Sequence, residues 1–341
     1  MIVKKNSIKN KKIVIIGGAG FIGHNLSLAL KKLNANISII DNLKVNNLYS
    51  LGKKNSKYPF PKLTKTIINE RISLLKKNKI KIHKIDAKDH KVLHMRLKKI
   101  KPNIIIHLAA VSHANKSNKD PHTSFDNSLR TLENSLDYAK NSIDHFIFLS
   151  SSMVYGNFKK NIVDESDTCE PLGIYAGLKY SAEQIIKSYG QIFNLPYTII
   201  RPSALYGERC ISRRVGQIFI ENALNNAEIK IEGDGEEKLD FTYIKDLVQG
   251  IICVLKTNKS KQKIFNLTYG KSRSINTMLN LLKKEFPAVK VNYIKRDKFM
   301  PIRGTLSTIK AKKLLNYSSK WSLESGYLKY IKWYKKVYLR T

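Results

Sequence analysis

Cysteine is scarce. The chain has three, Cys169, Cys210 and Cys253, far apart and in no CxxC pair. A disulfide framework and a cysteine zinc site are excluded, and a reducing compartment fits, so a cytoplasmic location is expected. Long apolar runs are missing too, and no stretch reaches the roughly 18 residues that a membrane span needs. The start of the chain is basic but lacks the apolar stretch of a secretory signal. No repeat or low-complexity block appears in the 341 residues. Acidic residues are also few: 26 Asp+Glu against 62 Lys+Arg leave a formal charge of +36. That balance suits nucleic-acid or anionic-membrane binding. Against it, Lys outnumbers Arg several-fold, whereas nucleic-acid readers lean on the planar Arg fork. The lysines are spread along the chain and are densest over 53–101, in what reads as helix surface and loops. A compositional bias in Lys, Asn and Ile is the better reading, and no nucleic-acid partner is expected.

With 42% hydrophobic residues the chain can build a sizeable core, as one large or two closely joined domains. Residues 13–16 form a continuous apolar run, as in a strand covered on both faces. Further strands are read at 36–41, 81–86, 103–110, 145–152 and 197–203, with helical patterns between them, notably at 126–141 and 175–193. Strands alternating with helices imply an α/β fold: a Rossmann-type, doubly wound parallel sheet with right-handed crossovers. The long polar connection 42–79 is either a surface insertion or an extra helix. After Arg201 the rhythm changes. Helical patterns at 215–225 and 245–256, a strand at 264–270, and aromatic-bearing helices at 275–286 and 323–338 follow. They predict a first domain over 1–201, to which 245–267 returns, and a smaller C-terminal lobe over 202–244 and 268–341.

Residues 17–23 read GGAGFIG, directly after a strand and before a helix. Gly17, Gly20 and Gly23 permit a tight turn and a close backbone approach to a pyrophosphate, which the free N–H groups of the helix start then attract. Asp41 ends the second strand, 18 residues after Gly23. A carboxylate there accepts ribose hydroxyls and repels a 2′-phosphate, which favours NAD over NADP. Asp86, at the end of the third strand, is either an adenine contact or a helix N-cap. Tyr175 and Lys179 stand four residues apart on one helical face, after a strand that ends in Ser150-Ser151-Ser152. A tyrosine acting as a base near neutral pH must be acidified by roughly 4 kcal/mol, and a neighbouring ammonium pushes that way.

Taken together these residues resemble an extended short-chain dehydrogenase/reductase of the NAD-dependent nucleotide-sugar epimerase/dehydratase family, UDP-glucose 4-epimerase-like. The resemblance spans nearly the whole chain. It rests on GGAGFIG at 17–23, HLAAVSH at 107–113, SSSMVYG at 150–156, YAGLK at 175–179, RPSALYG at 201–207 and GDGEEKLDFTYIKD at 233–246, closing with Arg303-Gly304 and Trp333-Tyr334. It implies an NAD-binding first domain and a nucleotide-diphosphate sugar over the second lobe. Ser151, Tyr175 and Lys179 match the family's catalytic Ser/Thr, base and lysine. Cofactor contacts are implied for Phe21 and Ile22 in the glycine turn, for Asn42 beside Asp41, and for Ala87 beside Asp86. Leu108, Ala109 and Ala110 after the fourth strand, and Pro202 after the sixth, complete that set with Tyr175 and Lys179. Substrate contacts are implied for Ser112, His113, Ser151, Ser152, Met153, Ser203, Arg214 and Arg303.

Departures from the family pattern narrow the reaction. Related dehydratases carry acidic residues just after the Ser/Thr; here Ser152 and Met153 stand there. The expected activity is therefore epimerisation at C4 of a nucleotide-diphosphate hexose through a 4-keto intermediate, with NAD regenerated each turn. A nucleotide-4-keto-sugar reductase is the alternative, ahead of a 4,6-dehydratase or a nucleic-acid-binding member of the family. Ala204 and Leu239 replace a family Asn and Arg near the diphosphate, while Arg209, Arg213 and Arg214 are further cations on that side. The resemblance also implies a homodimer, paired through the helices at 126–141 and 175–193, and a role in polysaccharide supply. His90 and His94 have the i, i+4 spacing of a metal pair. With no HExxH glutamate and no third ligand in view, no metal is expected.

Overall fold

Ile13, Val14, Ile15 and Ile16 are completely buried, as strand residues covered on both faces must be. They belong to β1 (Lys12–Ile16), which leads into α1 (Phe21–Lys32), β2 (Asn36–Ile40), α2 (Pro61–Lys77), β3 (Lys81–His83), α3 (His90–Ile100) and β4 (Ile104–His107). Next come α4 (Ala114–Lys119), α5 (Pro121–Phe125), α6 (Thr131–Ala139), β5 (His145–Leu149), β6 (Ile162–Val163), α7 (Gly173–Phe193) and β7 (Tyr197–Arg201). The remainder runs β8 (Leu205–Tyr206), α8 (Val215–Leu224), β9 (Ile229–Glu232), β10 (Lys238–Leu239), β11 (Thr242–Tyr243), α9 (Ile244–Leu255) and β12 (Lys263–Asn266). It closes with β13 (Arg273–Ser274), α10 (Ile275–Lys283), β14 (Val291–Ile294), β15 (Thr305–Leu306), α11 (Ile309–Leu315) and α12 (Leu323–Tyr338). This computed structural model describes residues 7–51, 58–110, 114–141, 143–297 and 300–341.

Seven strands form one parallel sheet in the order β12-β7-β5-β4-β1-β2-β3. The fold is Rossmann-type α/β. One face carries α1, α2 and α9, and the other carries α3, α6 and α7. The order reverses between β1 and β4, so a crevice opens there at the strands' C-terminal ends. The second strand of that switch point ends at His107, and residues 108–110 follow it into the crevice. Among the described residues four two-stranded ladders accompany it: β8·β11, β9·β14 and β6·β15 are parallel, and β10·β13 is antiparallel. Helix α12 carries a buried stripe of Tyr327, Tyr330, Ile331, Tyr334 and Val337, which repeats at helical spacing. The stripe packs on α8, α10 and α2, and the Tyr334 hydroxyl donates to Glu221 Oε1 at 3.0 Å.

The strands read to 110, 152, 203 and 270 end earlier, at His107, Leu149, Arg201 and Asn266, the helix read to 286 ends at Lys283, and three further segments are decided by local contacts. Strand β3 stops at His83 rather than 86, because the Ile85 N–H turns back to the His83 carbonyl and the Lys88 N–H to Asp86. The helix expected at 126–141 begins as one π turn over Asp126–Arg130 before α6. Of the two readings of 42–79, the extra helix is the one found. Its Arg71 is fully buried and bonds the carbonyls of Ala19, Asn46 and Arg209.

Three strands of the sheet carry buried imidazoles, His83 on β3 and two that lie deeper. His107 is completely buried on β4, and His145 on β5 sits 2.8 Å from Thr198 Oγ1. Burial pushes both pKa values down to about 3. Because the folded value lies below the unfolded one, each histidine contributes stability that is complete above about pH 6.5 and is lost as the pH falls toward 3. Between pH 6.5 and 5 each such histidine removes about 2 kcal/mol. The urea midpoint should therefore be lower at pH 5 than at pH 7, and His145→Gln should narrow that gap. An equal gap in the variant would show that His145 is not one of the groups responsible.

Candidate active site

The glycine turn after β1 is built for a close approach. Gly17 has φ +78°, and a Cβ there would lie 2.7 Å from the Ala109 nitrogen. A Cβ on Gly23 would lie 2.4 Å from Gly18 Cα, so α1 packs directly on the turn that precedes it. No side chain caps the start of α1 and no acidic residue occupies its first turn, which leaves its N–H groups and positive dipole end for an anion. Asp41 accepts the Ala19 N–H at 3.0 Å and the Leu43 N–H at 2.7 Å; burial raises its pKa, and these two bonds work against the rise. The Ala19 carbonyl receives Asn47 Nδ2 and Arg71 Nη1, so both ends of this peptide are held from outside the turn. The resulting cleft is lined by Gly17, Gly20, Phe21, Ile22, Gly23, Asp41, Asn42, Asp86 and Ala87, and by Leu108, Ala109 and Ala110 after β4.

A second cavity adjoins the first through Ile22, Leu108, Ala110, Leu205 and Arg214. Ser150, Ser151, Ser152 and Met153 enter it from the end of β5, and Tyr175 and Lys179 from α7. Ser151 is extended (φ −158°), and its Oγ accepts the Met153 N–H at 3.2 Å at the start of a 3₁₀ turn. Lys179 is buried and donates to the Leu149 carbonyl at 2.6 Å. Burial lowers its pKa to about 8, with Glu183 opposing.

Helix α7 is fixed by a buried ion pair. Arg201 Nε and Nη2 meet the two Glu183 oxygens at 3.0 and 2.6 Å, and the Ser150 hydroxyl donates to Glu183 Oε1 at 2.5 Å. Burial lowers the Arg201 pKa, but Glu183 outweighs that and carries it above the ordinary value. The guanidinium also lies 4.7 Å from the centre of the Tyr155 ring, whose hydroxyl donates to Asn266 Oδ1 at 2.9 Å. One network thus joins α7, β7, β12 and the turn that holds Ser151.

Beyond Ser203 the cavity adjoins a further one through Ala204, Leu205 and Glu232. Arg214 and Arg303 line both the second cavity and an outer one between α8, β9 and α10. Burial lowers the Arg303 pKa to about 10, and the positive charge of Arg214 adds to the fall. The Arg303 Nε is buried with no hydrogen-bond partner among the described residues. Two cations that face one chamber, one with an unused donor, make a site for an anion.

Residues 13–268 match the family model of the NAD dependent epimerase/dehydratase family. The chain belongs to that family. It is 32% identical to a putative UDP-glucose 4-epimerase of Methanocaldococcus jannaschii, over 80% of this chain and 82% of the relative. Among solved structures it resembles the UDP-glucuronic acid 4-epimerase of Bacillus cereus, in complex with UDP-glucuronic acid and NAD, at 26% identity and a TM-score of 0.84. That match covers 96% of this chain and 99% of the other. A UDP-glucose 4-epimerase of Thermotoga maritima with UDP-glucose matches at 26% identity and a TM-score of 0.81, covering 95% and 99%. The cofactor of this epimerase family is NAD. The tight glycine cradle, the open start of α1 and Asp41 at the end of β2 fit a dinucleotide without a 2′-phosphate.

Set against the epimerase pattern, the cofactor residues expected from sequence gather in the first cleft, except Tyr175, Lys179 and Pro202, which line the second. Ser203, Arg214 and Arg303 line the second beside the serines. Ser112 and His113 lie outside the described residues. The N-cap of α3 is Asp89, which accepts the Val92 N–H; Asp86 instead accepts Lys88 N–H and Asn42 Nδ2. Arg209 lies apart from the three cavities, bonded to His24, Asn25 and Glu70. Sequence reasoning passed over Glu183 and Arg201, although Glu183 follows Lys179 by one helical turn, and over Glu232 and Asp297 in the second cavity. Removing one partner of a buried ion pair costs about 3–5 kcal/mol. Glu183→Gln should lower the melting temperature and reduce kcat at unchanged NAD content. A melting temperature and kcat equal to wild type would show that the pair does not hold α7.

Proposed function

We propose that the protein interconverts a nucleotide-diphosphate hexose and its C4 epimer. The observation that carries this reading is the convergence of Ser151, Tyr175 and Lys179 with Arg214 and Arg303 on one cavity that opens into the cofactor cleft. Bound NAD supplies a reversible hydride acceptor. Tyr175 takes the C4 hydroxyl proton as the carbinol is oxidised and returns it to the oxygen when the other face is reduced. Ser151 hydrogen-bonds the same oxygen. Lys179, one helical turn on from Tyr175, brings a positive charge to the same cavity. Arg214 and Arg303 hold the diphosphate, which leaves the sugar free to turn between the two half-reactions. Ser152 and Met153 offer no carboxylate for loss of water from the neighbouring carbon. The carboxylates that do reach the cavity, Glu232 and Asp297, arrive from the smaller lobe.

The test is proton NMR with UDP-, dTDP-, GDP- and CDP-hexoses in the presence of NAD alone. One sugar should convert to its C4 epimer without net NADH. Tyr175→Phe should lower kcat by about 10²–10⁴-fold with NAD content unchanged. Stoichiometric NADH consumption on a 4-keto sugar, with no epimerisation of any hexose, would replace this reading with a reductase. Nucleic-acid binding that survives in Tyr175→Phe, with no turnover in the wild type, would replace it with a binding protein.

The same reading includes a homodimer in the cytoplasm. It is supported by exposed apolar side chains at the end of α7, where Ile192 is 73% and Phe193 44% accessible, and by Phe125 on α5. The cysteines are all free thiols. Light scattering should give twice the chain mass; a monomer mass would remove the dimer from the proposal.

A further inference from the structure

We propose that His90, His94 and Asp137 form a binding site for a divalent transition-metal ion. The two histidines sit one turn apart on α3 and share a face. The third ligand was invisible in the sequence because it comes from α6, which packs against α3. Ligand atoms of the three side chains all lie within 4.8 Å of one another. His90 Nε2 is 2.9 Å from Asp137 Oδ2, and His94 Nε2 is 3.5 Å from the same oxygen. Two ligands each about 2.1 Å from a tetrahedral zinc are about 3.4 Å apart, so one ion fits with small adjustments. The imidazole centres are 4.0 Å apart with planes at 31°, and the His94 Nε2 now shared with the Asn134 carbonyl at 3.1 Å would give up that contact to the ion.

The surroundings suit such an ion in two ways. Lys140 Nζ holds the other carboxylate oxygen, Asp137 Oδ1, at 2.5 Å, which leaves Oδ2 turned toward the imidazoles. The side chain of His94 is 17% exposed, that of Asp137 26% and that of His90 53%, so water can complete the coordination. Two imidazoles and one carboxylate favour zinc, cobalt or nickel over magnesium or calcium. None of the three residues lines the cofactor cleft or either cavity beyond it, so the site is separate from the chemistry. A bound ion would pin α3 to α6. Asn134, one turn before Asp137, bonds the carbonyls of Ala87 and Lys88, so the pin would also brace one wall of the cofactor cleft.

The test uses the full chain with NAD, free of any histidine tag, titrated calorimetrically with zinc and followed by absorption with cobalt. One equivalent of zinc should bind saturably and raise the melting temperature. His94→Ala and Asp137→Asn should each weaken zinc binding by about tenfold or more. His90→Ala, at the more exposed ligand, should do the same if either of the others fails to fold. Cys169→Ser should leave binding unchanged. No saturable binding of zinc or cobalt up to millimolar concentration would overturn the proposal. So would binding that the histidine and aspartate variants leave unaltered.

Discussion

The buried pair of Glu183 and Arg201 is the constraint on which the second cavity depends. A carboxylate and a guanidinium this deep are tolerated only when both are paired and their remaining hydrogen bonds are met. Here the bidentate contact, the Ser150 hydroxyl and the Tyr155 ring meet most of that demand. The cost of misplacing either charge is what gives the contact its selectivity. Helix α7 cannot slide along the sheet without pulling Glu183 from Arg201, and the turn of Ser151 cannot move without disturbing Ser150 and Tyr155. Tyr175 and Lys179 lie two turns and one turn before Glu183 on the same helix. Their register against Ser151 is thus set by a contact that touches neither.

The glycine turn follows a similar logic with neutral groups. A turn of this kind has little side-chain packing of its own, so its shape must be imposed. The peptide of Ala19 is held at the N–H by Asp41 and at the carbonyl by Asn47 and Arg71. Arg71 is fully buried, and burial draws its pKa to about 10. It comes from α2, in the long connection after β2, and also reaches the Arg209 carbonyl. One side chain therefore ties the dinucleotide turn to the segment that leads to Arg214. The connection is part of the site's scaffold and not a decoration on it.

What could be read from the sequence follows from how local each signal is. The strand, turn and helix of 12–32 are local, and so is the Tyr175–Lys179 spacing; both were legible. Helix α12 was legible because its buried stripe repeats at 3.6 residues and the helix starts at Ser322, whose side chain accepts the Ser325 N–H. The length of β3 was not legible, since its end is decided by a turn that competes with one more ladder bond. Glu183 carried a visible spacing, but its partner is fixed only when α7 lies on β7. Asp137 is more than forty residues from His90 and joins it only because α3 and α6 cover one face of the sheet. The Arg209 and Arg214 side chains could not be told apart by residue type. They diverge because Arg209 has φ +65° and turns toward Glu70, while Arg214 precedes α8 in extended backbone.

The positive charge of the chain can now be divided into two parts. Most of the 62 Lys and Arg are lysines spread over the surface. Such charges are screened within about 10 Å at moderate salt, so they raise encounter rates for any anion but cannot choose among anions. Arg214 and Arg303 differ from them in kind. They face one chamber, where burial and the nearby positive charge of Arg214 lower the Arg303 pKa. An anion that reaches both guanidinium groups removes the repulsion and uses the free Nε donor. A single phosphate could satisfy one fork, whereas a diphosphate has the span and the oxygen count for both.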